Sequence, residues 1–102
     1  MNKFPTPQKL LVMADKGYLA MKAEISRSVI FTDYVISKMI YARQFRHGRV
    51  SLAKEDLHLI FSNAKDFPLL EKAVRDVLVE AGYTEVHSQT HWISFDTPKE
   101  SD

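Results

Sequence analysis

The side chains best placed for chemistry in these 102 residues are two histidines, His87 and His91, four positions apart near the C-terminus. Across a β-hairpin they would face one another about 5 Å apart, close enough to share a metal ion. Glu85 or a residue of a second chain would have to supply the third ligand. Histidines without an evident third ligand are usually solvated, so no metal is assigned. A second cluster is basic: Arg43, Arg46, His47 and Arg49 crowd around Gly48. Cations there complement a helix C-terminus and could meet an acidic partner or a small anion. The cluster is too short for a nucleic-acid footprint by itself. The carboxylates Glu55, Asp56 and Asp66 read as helix caps and solvated groups. The sequence has no cysteine, no glycine-rich phosphate loop and no G-x-S-x-G, HExxH or EF-hand pattern. Nucleophilic catalysis and thiolate metal sites therefore find no motif to carry them. No catalytic residue and no cofactor is assigned, and the chain is read as a non-enzyme.

Those residues have to be positioned by the elements around them, of which Asp66–Tyr83 is specified most completely. Asp66 is an N-cap, Pro68 needs no hydrogen-bond partner in the first turn, and Gly82 stands at the C′ position. Between them Leu69, Leu70, Ala73, Val74, Val77, Leu78 and Ala81 form one apolar stripe, which predicts an amphipathic helix over 67–81. Glu71 with Arg75 and Lys72 with Asp76 stand at the supportive spacing of four. Upstream, Thr6 and Pro7 open a helix with Leu10, Ala14, Tyr18, Met21 and Ile25 on one face. A single helix from 7 to 46 would be about 60 Å long, so a break is expected near Ser26–Thr32, where serine and threonine caps cluster.

The second segment, Val29–Phe45, is apolar in nearly every direction around its axis, and such a helix must be covered on every side. Homo-oligomerisation through Val29, Tyr34, Ile36 and Ile40 is the expectation; a core helix wrapped by its own chain is the alternative. The segment is interrupted by Thr32, Asp33, Ser37 and Lys38, so it does not read as a membrane span. With no apolar leader at the N-terminus, a cytoplasmic protein is expected. Arg49–Leu52 reads as a short strand or as the lead into a helix capped by Ser51. Ala53–Phe61 leans helical by composition but also alternates as a strand would. Tyr83–His87 and His91–Phe95 read as a hairpin around Ser88-Gln89-Thr90. In that register Val86 faces Trp92 and Tyr83 faces Phe95, which puts Trp92 and Val86 on the side turned away from the helix. That pair is the candidate contact surface for a foreign partner; the alternative is a twisted strand with Trp92 in the core. Residues 97–102 read as a polar tail, and the whole chain as one α+β domain, helical over 6–46 and mixed over 49–96.

The net charge of +1 conceals a polarity. Residues 1–50 hold nine Lys/Arg and three Asp/Glu, net +6, whereas residues 51–102 hold five and ten, net −5. Either the halves neutralise one another, or the molecule uses its basic end, with Arg43, Arg46 and Arg49, on a partner or on its own copies.

The order helix, short strand, helix, helix, hairpin through Arg49–Phe95 resembles a winged-helix domain preceded by helices for dimerisation. That resemblance implies a DNA-binding transcriptional regulator. It departs at the helix that would read DNA, where Asp66, Phe67, Pro68 and Glu71 stand in place of basic residues, and nucleic acid is disfavoured as a partner. The helical N-terminus, the step Ala81-Gly82-Tyr83 and the late Trp92-Ile93-Ser94-Phe95 also resemble short accessory proteins of phages. That resemblance implies a viral protein that inhibits or redirects a host protein by stoichiometric binding.

Overall fold

The computed structural model describes residues 4–45 and 48–97. The chain is α+β, with four helices and one three-stranded antiparallel sheet. α1 runs over Pro7–Arg27, and the Thr6 hydroxyl accepts the Lys9 amide at its start. The chain then breaks at Ser28, which is extended; its hydroxyl accepts from the Phe31 amide and so opens α2, Val29–Phe45. The break falls inside the span where capping residues cluster. β1, Arg49–Ala53, leads directly into α3, Lys54–Ile60, so 53–61 is helical over most of its length. α4 spans Phe67–Glu80; the Asp66 carboxylate accepts from the Leu69 amide and Pro68 lies in the first turn. Gly82 takes φ +100°, a conformation that only glycine adopts at low cost, and ends the helix where the sequence marks its end.

β2, His87–Ser88, and β3, Trp92–Asp96, complete the sheet in the order β1-β3-β2. β3 therefore lies in the middle, paired to β1 with Val50 opposite Phe95 and Leu52 opposite Ile93. These four side chains are fully buried. Ile25, Phe31, Val35, Leu57, Leu70, Val74 and Leu78 pack into the same core, so α1 to α4 all contribute to it.

The hairpin differs from the expected one. His87 stands opposite Ser94 rather than His91, and Ser88 opposite Ile93. Glu85 sits at φ 53°, in the left-handed region, which ends regular strand geometry between Tyr83 and His87. Relative to the expected pairing the register moves by three residues, an odd number, and an odd shift turns β2 side chains to the other face. Val86 accordingly points inward and is only 8% exposed. Tyr83 still meets Phe95, edge to face at 4.9 Å.

α1 is held to α4 by polar contacts along one flank. The Tyr18 hydroxyl donates to Asp76, Lys72 reaches the same carboxylate at 2.7 Å, and Lys22 meets Glu80 at 2.5 Å. Lys72–Asp76 is the anticipated spacing-of-four pair. Glu71 instead leaves Arg75 and turns to α3, where His58 lies at 2.6 Å and Lys54 at 3.4 Å. The Lys72 ammonium and then the Tyr18 hydroxyl hold the Asp76 carboxyl below its ordinary value of 3.8. A carboxylate whose pKa is depressed by folding stabilises the fold above its unfolded-state pKa and loses that contribution as pH falls through the folded value. Urea unfolding from about pH 5 to about pH 2 should therefore show a steeper loss for the native chain than for Asp76→Asn. The two curves should converge at the acid end.

Candidate functional site

The outer face of the sheet carries Arg49 opposite Asp96, Ser51 opposite Ser94 and Ala53 opposite Trp92. Alternation along β3 sends Ile93 and Phe95 into the core and leaves Trp92 outward, 45% exposed, at the end of the strand. Only small residues neighbour it on the strands, so a hollow of about 220 Å³ opens beside the indole, bounded by Lys38 and Tyr41 of α2 and by Arg49 and Ser51. Aromatic rings from two elements thus share one shelf with basic groups at its edge.

The expected contact residues separate. Trp92 is on the shelf, whereas Val86 belongs to the core and contributes no outer surface. Arg49 borders the hollow but is committed within the chain: its guanidinium donates to Asp96 at 2.7 Å, to the Ser94 hydroxyl at 2.7 Å and to the Glu85 carbonyl at 3.1 Å. This covers Ser94, which is buried although it faces outward. Arg43 is an exposed residue of α2, and Arg46 lies outside the described residues. The basic cluster is therefore divided between a strand and a helix end, and Arg49 answers the C-terminal half of its own chain.

On α2, Val29, Ile36 and Ile40 project outward with Ile30 and Tyr41, each between 47% and 72% exposed. Tyr34, grouped with them from the sequence, turns the other way. Its hydroxyl donates to Asp56 at 2.7 Å and accepts the Ala53 amide at 3.0 Å, tying α2 to the β1–α3 junction. Burial, and then the Asp56 carboxylate, push its pKa well above the usual tyrosine value. The apolar positions all round α2 thus divide into an inward side, Phe31, Val35 and Ala42, and an outward side that reaches the Trp92 shelf through Tyr41.

The histidines also separate. His87 lies 3.2 Å from Glu85, while His91 is at the hairpin tip, where its carbonyl accepts the Lys54 amide. Among the described residues no group of three or more His, Asp or Glu side chains is arranged to hold a metal ion, and no helix is long and apolar enough to cross a membrane. The sequence reading missed the cluster of Lys54, His58 and Glu71, because its members come from two helices at no motif spacing. His58 is stacked on Phe67 at 4.2 Å, so the imidazole is pinned between Glu71 and a ring, where it joins α3 to α4. A larger hollow, about 640 Å³, lies between α1 and the α3–α4 connection.

No family model matches the chain, and no curated protein or solved structure matches it either.

Trp92→Ala should cost at most about 1 kcal/mol in urea unfolding, well under the roughly 3–5 kcal/mol typical of a buried tryptophan. Val86→Ala should cost about 1–2 kcal/mol, because two buried methyl groups are lost. The native fluorescence should be readily quenched by iodide.

Proposed function

We propose that this chain is a small non-enzymatic binding protein that acts by covering a surface of another protein. The reading extends to an accessory factor of phage type, which inhibits or redirects a host component by stoichiometric binding. One observation carries it: a half-exposed tryptophan beside a tyrosine, over a hollow with basic edges, continuous with an outward row of aliphatic residues on α2. Rigid aromatic anchors with few torsions to freeze are the residues that dominate protein interfaces. The half-buried lysine–histidine–glutamate cluster is used to join helices, and the shelf offers contact area rather than acid–base groups.

A second reading is favoured by topology. The order helix, strand, helix, helix, strand, strand, with the sheet arranged β1-β3-β2, resembles that of a winged-helix DNA-binding regulator. The groups that would touch DNA argue against it. The start of α4 presents Asp66 and Pro68 and no cation, α1 occupies one flank of α4, and the hairpin tip Gln89-Thr90-His91 has no lysine or arginine. Phosphate contacts supply most DNA affinity, and few cations are available here to make them.

Two measurements separate the readings. In a gel shift at low salt the protein should leave random duplex DNA unretarded; retention with steep salt dependence would establish the second reading instead. In affinity capture, a partner held by the native chain should be lost with Trp92→Ala and with Ile36→Asp, and kept with Arg75→Ala. Ile36 is exposed, so the aspartate does not bury a charge. Equal capture by all variants would overturn the proposed surface.

A further inference from the structure

α1 is supported along only half its length. From Tyr18 onward it rests on the body, with Ile25 buried and Tyr18 and Met21 packed against the core. From Pro7 to Gly17 every residue is exposed, including Leu10, Leu11, Val12 and Met13, and Phe4 just ahead is 83% exposed. Three turns of helix with no tertiary cover fall below the length at which an isolated helix is stable in water. Beside this arm lies the 640 Å³ groove, walled by Ala14, Gly17 and Met21 on one side and by Phe61, Ala64 and Leu69 on the other.

Gly17 is unexplained within one chain. It lies in mid-helix, where glycine costs about 1 kcal/mol relative to alanine. A Cβ built there meets nothing within 4 Å. Its neighbours supply a reason for it. Positions 10, 13, 14, 17, 20, 21 and 24 fall on one face of the helix. Around Gly17 the residue types repeat in reverse: Met13-Ala14 precedes it and Ala20-Met21 follows at equal distances. An antiparallel second copy crossing at Gly17 therefore sets Gly17 on Gly17, Ala14 on Ala20 and Met13 on Met21, a self-complementary arrangement of the kind a two-fold axis requires. Lys9 of one copy then falls beside Glu24 of the other, and neither makes an ion pair within its own chain among the described residues.

We propose that two copies of this chain associate through α1, crossing antiparallel at Gly17, so that the arm of each lies in the groove of the other. Leu10 and Leu11 of the arm fill the groove over Phe61, Ala64 and Leu69. A stable interface buries about 800 Å² per copy, and the exposed side of a 21-residue helix together with the groove is the surface that would supply it. The interface does not involve Trp92 or the outer side of α2, so it leaves the proposed partner surface free. It places self-association on α1, where the sequence had suggested α2.

Sedimentation of the full chain at micromolar concentration should give twice the 11.8 kDa monomer mass. Gly17→Leu should raise the dimer dissociation constant at least tenfold while helix content by circular dichroism is retained, because a Cβ at position 17 meets no atom of its own chain within 4 Å. The chain has no cysteine, so single replacements report contacts directly. Gly17→Cys should form a disulfide-linked dimer under mild oxidation, since a close crossing brings the two Cα atoms within about 7 Å, and Ser37→Cys on α2 should not. A monomer at all concentrations would overturn the proposal. So would a dimer that is indifferent to Gly17→Leu and links through Ser37→Cys, which would assign the interface to α2. A groove that takes a foreign helix while the chain stays monomeric would overturn it equally.

Discussion

The antiparallel ladder between β1 and β3 joins the middle of the chain to its end, and the other elements take their places from it. Val50 against Phe95 and Leu52 against Ile93 bury four large side chains completely, each contributing about 1.5–3 kcal/mol of hydrophobic stabilisation. Because β1 runs without a loop into α3, the ladder also sets where α3 begins. The Tyr34 hydroxyl closes on the Ala53 amide at that junction and brings α2 alongside. α4 packs its apolar stripe into the same core. The single tryptophan is placed by the same register: one residue beyond Ile93, alternation has to turn it outward.

A core organised around so small a sheet cannot cover every apolar surface of four helices. α2 divides its apolar residues between an inward side and an outward one, and α1 outruns the body by about half its length. The two leftover surfaces differ in chemistry. α1 offers small residues and flexible methionines that allow close backbone approach, as helix–helix contacts do. α2 and the sheet offer a tryptophan, a tyrosine and branched aliphatics that fill pockets in a partner. A protein that pairs with itself through one and reaches a foreign surface through the other would use both without conflict.

The opposite charges of the two halves meet where Lys22 reaches Glu80 and Arg49 reaches Asp96, and the neutral Tyr18 hydroxyl adds a contact to Asp76. Most of these groups are partly exposed, and exposed ion pairs contribute little net stability. Their effect is on orientation. Lys22 and Tyr18 hold α1 along one flank of α4, and the Arg49 guanidinium fans over Asp96, Ser94 and Glu85 to seal the sheet's open face.

Where structure depends on near neighbours, the sequence alone determined it. Asp66, Pro68 and Gly82 bound α4 and the serine-rich stretch breaks α1 from α2 at Ser28, because caps and periodicity act over a few residues; 49–61 was open between strand and helix until pairing of β1 with β3 decided it. The alternation of Trp92 against Ile93 and Phe95 was legible for the same reason, as strand alternation has a period of two, but which face is covered was decided by the core. Only tertiary structure decided the rest. Glu85 in the left-handed region shifted the hairpin by an odd number of residues and buried Val86. Tyr34 turned toward Asp56 because a hydrogen-bond partner 22 positions away lay within reach. Glu71 left its helical neighbour Arg75 for Lys54 and His58 on another helix, and Arg49 was drawn to Asp96 across the ladder. In each case the competing partner is distant in sequence and brought near by packing of the core, so spacing along the chain carries no trace of it.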